Sequence, residues 1–384
     1  MMFSNHSAMK STYKRLGDYI EVVEARNRDL SVKLSQGICN LKYFQDPRQV
    51  AENSAADKIV RKGWFAYNRA TTRNGDKISI AYRDGEDCTV SASYLTFKIT
   101  DEELLNPYYL MMWFKRPEFD RYARFKSHGS AHEYFEWEEM CDVMLPVPPI
   151  EEQRKIVAEY QVIERRIENN RRLIASLEAT AQTIYRHMFV DNIDPENLPQ
   201  GWRMKKLGDV VELSQGIQVE VEDQFQYALP GFNRFIRIID HTIGTNEPPR
   251  FVNITDKRYY CTEYEVSMIR YGDAGKVCRR LSGIIANNLF KISPKRNITN
   301  NFIYYFLNDS NIQQIIRGSA ASSTMPAITH KTIKELDCTL PPKDVLILFD
   351  KYANSIEKEI LNRMHECNCL RSVLSLLLTK LSSI

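Results

Sequence analysis

The sequence predicts a mixed α/β fold in which two similar α+β domains are joined by two long helices, and the helices pair with each other as an antiparallel coiled coil within one chain. Three observations carry this expectation. The double prolines Pro148-Pro149 and Pro341-Pro342 lie 193 positions apart, and so do the two copies of FKI at residues 97–99 and 290–292. Each double proline is followed by a heptad stripe of apolar residues. The polar break in each stripe, Asn170 in the first and Arg363 in the second, again recurs after 193 positions. The chain is therefore expected to carry a pseudo-two-fold internal repeat of globular domain, double proline and long helix.

Taken in order, the first domain occupies residues 1–147. It contains RLGDYIE at 15–21, LSQGI at 34–38 and the β-rich run KISIAY at 77–82, with turn signals at Asn74-Gly75 and Asp84-Gly85. A helical stretch, NPYYLMMWFKRPEFDRYAR at 106–124, precedes its last strand. The first long helix, residues 148–189, has the seam Ile156, Tyr160, Ile163, Ile167, Asn170, Ile174, Leu177, Ala181, Ile184 and Met188. A linker, VDNIDPENLPQGW at 190–202, leads to the second domain at 203–340. There KLGDVVE at 206–212 echoes the first copy at an offset of 191, and LSQGI returns at 213–217 at an offset of 179. EVSMIRY at 265–271 runs into the turn Gly272-Asp273, and TNNFIYYFLNDSNIQQIIRG at 299–318 is the second helical stretch. The second long helix, residues 341–384, repeats the seam as Phe349, Ala353, Ile356, Ile360, Arg363, Cys367, Leu370, Leu374, Leu377 and Leu381. Helices of about 40 residues make a rod of about 60 Å. Antiparallel packing would bring Asn170 and Arg363 close together near its middle, where a polar pair fixes register.

With 43% hydrophobic and 26% charged residues, the composition is that of an ordinary soluble globular chain. A net charge of +3 does not by itself demand a polyanionic partner. No apolar run is long enough to span a bilayer, and MMFSNHSAMKSTYKRLGD at the N-terminus lacks the apolar core of a signal peptide. The eight cysteines include no CxxC, which fits buried thiols in the reducing cytoplasm.

Catalytic motifs are lacking. Asn106 to Tyr109 read NPYY, one proline short of the amino-methyltransferase motif and without an upstream glycine-rich loop; Asn106 and Pro107 suit a helix N-terminus instead. GDAGK at 272–276 is too short for a phosphate loop and has Val277 where a magnesium-binding hydroxyl belongs. His128 and His132 have helical spacing but no HExxH, so no metal site is expected.

Two similar, non-identical domains held apart by a rod suit a long, regular ligand with two unlike parts, and duplex DNA is such a ligand. The order LPVPPIEEQRKI, long helix, LGDVVELSQGI, domain, LPP, second long helix resembles the DNA-specificity subunit of type I restriction-modification systems over nearly the whole chain. PPIEEQRKI is its most specific piece, while Lys343-Asp344-Val345 depart from the first copy's Glu151-Glu152-Gln153. The resemblance implies that each domain is a target recognition domain for one half of a bipartite, asymmetric DNA site. It implies that the helices serve as spacer and as docking surface for two methyltransferase (modification) subunits, through which restriction (nuclease/translocase) subunits join. S-adenosylmethionine would be bound by the modification subunits, with no cofactor and no catalysis in this chain.

Residues 201–342 hold 18 Lys+Arg against 14 Asp+Glu, with the acids crowded into 209–223. Candidate DNA contacts in this copy are Arg234, Arg237, Arg270, Lys276, Arg279, Arg280, Arg317, Ser322, Ser323 and Thr324. In the first copy they are Asn68, Arg69, Arg73, Lys77, Lys126, Ser127, His128 and Ser130. Two other readings remain open: a coiled-coil homodimeric DNA-binding regulator, and a degenerate self-contained DNA methyltransferase.

Overall fold

A computed structural model describes residues 13–47, 54–70, 77–128, 133–242, 247–295, 297–320 and 327–383. The chain forms two compact units that do not follow the sequence as two halves. Unit 1 comprises residues 1–169 and 366–384, and unit 2 comprises residues 170–365. Each long helix, Ile150–Phe189 and Lys343–Lys380, thus contributes one segment to each unit.

Both units contain the same four-stranded antiparallel sheet. In unit 1 its order is Ile20–Val22, Tyr94–Ile99, Trp64–Asn68, Ile80–Tyr82. In unit 2 it is Val211–Gln215, Leu289–Pro294, Val266–Ile269, Val277–Cys278. The repeated FKI lies in the strand flanked on both sides. Phe97 pairs with Val22 and Phe65, and Phe290 pairs with Gln215 and Met268. Side chains alternate across a strand, so Phe and Ile of FKI share one face and both are buried in each copy.

The LGD and double-proline motifs are neighbours through a second ladder. Tyr13–Arg15 pairs with Met144–Pro146, and Arg203–Lys206 with Asp337–Leu340. The amide of Leu16 donates to the Val143 carbonyl and that of Leu207 to the Leu336 carbonyl, both at 2.8 Å. The glycine of LGD is needed because a short helix crosses it. A Cβ at Gly17 or Gly208 would lie 2.8 Å from the Cβ of Cys141 or Lys334.

Each helical stretch predicted before the last strand is two helices. Pro117 starts a new one, so Pro107–Phe114 and Pro117–Phe125 are separate. In unit 2, Asn300–Asn308 gives way at Asp309 to Ser310–Ala320. Asn106 caps the first of these helices, accepting from the amides of Tyr108 and Tyr109.

The helices pair antiparallel in each unit. In unit 1, Val157 and Tyr160 share a core with Leu378 and Leu381, while Arg166 Nε donates to Glu366 at 2.7 Å. In unit 2, Tyr185 and Phe189 pack on Phe349, with ring centroids 5.9 and 5.1 Å apart. All the seam residues named above are buried or half-buried. Toward the helix ends the stripe widens to Val157, Tyr185, Phe189, Leu346 and Leu378, which join the domain cores. At the polar break Asn170 is buried with its Nδ2 unpartnered, whereas Arg363 Nε donates to Glu359 of its own helix at 2.6 Å. No helix among the described residues is long and apolar enough to cross a membrane.

Because Leu381 completes the unit 1 core, Leu381→Ala is expected to cost about 2–5 kcal/mol. Hydrogen exchange should then rise in Tyr94–Ile99, far away in sequence. Unchanged protection of that strand would contradict this packing.

Candidate nucleic-acid interface

In each unit, the turn between the third and fourth strands of the main sheet meets the segment that follows the second short helix. In unit 1, His128 and Tyr134 exchange backbone hydrogen bonds of 3.1 and 2.9 Å, Tyr134 bridges to Ala70, and Phe135 donates to the Arg69 carbonyl. This brings Asn68 and Arg69 beside Lys126, Ser127 and His128. In unit 2, Tyr271 bridges to Ala327, and the Ile328 amide donates to the Arg270 carbonyl at 3.0 Å. Isolated backbone bridges tie the two segments together at each junction, which sets where the side chains on them begin.

The first-copy candidates form a charged but locally paired surface. Asn68 accepts from the Ala70 amide. Arg69 lies 3.0 Å from Glu136 and over the Tyr134 ring. Lys126 pairs with Glu139 at 3.0 Å, and His128 Nε2 is 3.8 Å from the same carboxylate. Lys77 is half-buried beside the Lys42–Asp120 pair, whose ammonium and carboxylate are 2.6 Å apart. Ser127 is a correction: it is buried, and its hydroxyl donates to the Ala123 carbonyl at 2.6 Å, so it closes a helix end. Arg73 and Ser130 lie outside the described residues.

In the second copy, Arg270 donates through Nη1 to Gln215 Oε1 at 3.2 Å and stacks over Tyr271 at 4.9 Å. Its Nε is buried without a partner. Lys276 donates to the His241 carbonyl at 3.1 Å and pairs with Asp273. Arg234 and Arg237 converge on Asp240 at 3.2 and 3.1 Å. Arg317 is exposed and donates to Gln313. Ser322, Ser323 and Thr324 lie outside the described residues.

Arg279 and Arg280 are the larger correction. Their side chains are 1% and 8% exposed, and they point into the helices of unit 2. Arg280 forks onto Glu357, Nε to Oε1 at 2.8 Å and Nη2 to Oε2 at 3.0 Å, and its Nη1 bonds Glu178. Burial opposes its charge, but the Glu357 hydrogen bonds, Tyr304 and Glu178 outweigh this and hold the guanidinium above its ordinary pKa. Arg279 stacks on Tyr304 at 4.5 Å, donates to Asn301 at 3.1 Å and sits 3.5 Å from Glu357. Being charged and near a turn did not make these residues surface-facing.

Sequence reading missed the amide groups beside Arg270 in unit 2. Gln215 binds the carbonyls of Asn287 and Leu289, and the Asn287 side chain bonds Gln218. In both copies the glutamine of LSQGI is held by an arginine, Gln36 by Arg83 at 2.7 Å and Gln215 by Arg270. That repeated glutamine was the available signal. Asn and Gln can read adenine edges as Arg reads guanine. Among the described residues no group of three or more His, Cys, Asp or Glu could hold a metal.

His241 gives this face a pH dependence. Burial, reinforced by Lys276 and Arg234 against Asp240, pushes its pKa from 6.5 down to about 4. Between those values the unfolded chain takes up a proton that the folded chain refuses. Stability present above the ordinary histidine pKa is therefore lost as pH falls toward 4. His241→Gln should flatten that part of the profile in denaturation of the chain from pH 7 to 4; parallel profiles for the two proteins would rule the histidine out.

Comparison with known proteins bears on the family. The type I restriction modification DNA specificity domain matches this chain twice, at residues 14–179 and 199–366. A curated relative, the type I restriction enzyme MjaIX specificity subunit of Methanocaldococcus jannaschii, is 23% identical over 96% of this chain and 84% of its own length. The crystal structure of a type I restriction-modification system S subunit from M. genitalium aligns with a TM-score of 0.55 at 15% identity, covering 96% of this chain and 95% of that one. A further structure, HsdS from Thermoanaerobacter tengcongensis, aligns at 18% identity with a TM-score of 0.36, covering 96% and 95%. The two family matches, each beginning near an LGD motif and ending in a long helix, follow the internal repeat, and the chain belongs to the type I restriction-modification DNA specificity family.

Proposed function

We propose that this chain reads a bipartite, asymmetric DNA site within the cell, one half with each domain, and positions the modification subunits over it. The observation that carries this reading is the duplicated junction of sheet turn and post-helical segment, built on one backbone plan but bearing different side chains. Unit 1 offers Arg69, Lys126 and His128, while unit 2 offers Arg270 and Lys276. Equivalent frames with unlike polar groups suit unlike half-sites, because phosphate contacts position a protein on DNA and base contacts specify the sequence.

Membership among specificity subunits makes this a non-catalytic component. The methyl donor, S-adenosylmethionine, belongs in this reading to the two modification subunits, with restriction subunits joining through them. Antiparallel pairing of the helices within the chain leaves no reason for the homodimeric regulator. The Asn106 side chain caps a helix, which removes the motif on which a self-contained methyltransferase would rest.

Selection from a random duplex pool by the chain assembled with its modification subunits should return a split motif. Arg270→Ala should relax one half and Arg69→Ala the other, each by about 1–3 kcal/mol of discrimination, or roughly fivefold to more than a hundredfold. Relaxation of both halves by either variant, or of neither by both, would contradict the assignment.

A further inference from the structure

We propose that Arg280, Glu357 and Glu178 form an orienting clamp that sets the angle at which the second domain sits on its helices, and with it the spacing at which its half of the DNA site is read. This inference rests on the recognition function proposed above.

The geometry is that of an orienting device. Arg280 lies on the loop between Val277–Cys278 and Gly283–Ile285, in the second domain. Its one guanidinium reaches a carboxylate on each long helix: Glu178 on the first and Glu357 on the second. The two-pronged contact with Glu357 fixes direction as well as distance, because a planar fork tolerates little rotation and a single ammonium tolerates much. Glu357 has a side chain only 2% exposed, so water does not compete for it.

The backbone is set for the task. Arg280 has φ of 74°, in the left-handed region that a non-glycine residue adopts only when its surroundings impose it. Its amide donates to the Glu263 carbonyl at 2.9 Å, holding the loop in that shape. Asn301 extends the attachment, accepting from Arg279 and donating to Asp350 and Asn354 of the second helix at 3.0 and 2.8 Å.

Unit 1 is built differently. There Lys115 meets Glu164 of the first helix at 2.6 Å, with side chains 27% and 40% exposed. Arg154 of that helix meets Glu103 at 2.8 Å on the open surface. The buried Gln153 accepts from the Asn106 amide and donates to the Leu104 carbonyl, both at 2.9 Å. These charged contacts are open to water and the buried one is a neutral amide, and all of them go to the first helix, whereas Arg280 joins the domain to both helices through a buried charge. A buried ion pair contributes little stability over an apolar pair of similar size, so orientation is the function that this arrangement is suited to perform.

The test uses the chain assembled with its modification subunits, methylating a duplex library whose half-site spacing varies by one base pair either way. Arg280→Lys keeps the charge and removes the fork. It should raise methylation at the wrong spacings, relative to the right one, by about tenfold, which is about 1.4 kcal/mol. Stringency at the first half-site should be unchanged. Glu357→Gln should act in the same direction, while Lys115→Met should leave the spacing profile much less altered. A melting curve on each assembled variant separates orientation from folding. Wild-type spacing profiles in both Arg280→Lys and Glu357→Gln, or equal loss at all spacings together with a lowered melting temperature, would overturn the clamp. A wild-type complex that yields no split motif would instead defeat the recognition function beneath it.

Discussion

A helix of 40 residues with a heptad stripe presents an apolar face that must be covered, and here a second stripe 193 positions further along the chain covers it. Because the two stripes pair antiparallel, unit 1 is completed by a helix segment remote from it in sequence, while unit 2 is one continuous stretch that keeps the second half of the first helix. Unit 1 takes in residues 366–384, and unit 2 takes in residues 170–189 of the first helix. Leu378 and Leu381 close one core, and Ala181, Tyr185 and Phe189 enter the other. The association is intramolecular, so the entropy of bringing two molecules together is not lost, and only loop closure opposes it.

On this foundation the charged residues divide into two classes. Those on the junctions, such as Arg69, Arg270 and Lys126, are held by nearby partners yet remain partly accessible. Those at the helices, Arg279 and Arg280, are withdrawn from water and exchange hydration for carboxylates and the Tyr304 ring. Both classes are arginine-rich, but for different reasons. In the proposed reading the forked donors at the junctions match base edges and phosphates, while at the helices the same fork serves to set an angle between elements.

The plan of the fold was legible because it is written in repeats and periods. FKI marked the strand flanked on both sides in each sheet, LGD and the double proline marked two hydrogen-bonded neighbours, and the seams marked the pairing faces. What stayed hidden depends on contacts between distant residues. The widening of the stripe at Val157, Tyr185, Phe189 and Leu346 follows from domain packing and has no heptad signal. The two LSQGI copies look equivalent, yet a Cβ at Gly37 would meet open space, whereas one at Gly216 would lie 2.2 Å from the Ala286 carbonyl. Arg279 and Arg280 resembled a basic turn because nothing local shows that Glu178 and Glu357 face them. Ser127 misled in the same way, since its role as a helix-end hydrogen-bond donor is visible only once the helix is placed.

The central claim is that this chain, through two unlike copies of one recognition frame, dictates where its partners methylate DNA. Methylome sequencing of cells carrying the chain with its cognate modification subunit, against cells carrying that subunit alone, tests it most directly. The account predicts a split, asymmetric methylated motif that appears only when the chain is present. A motif that is unchanged without the chain, or no chain-dependent methylation from an expressed and assembled complex, would contradict it.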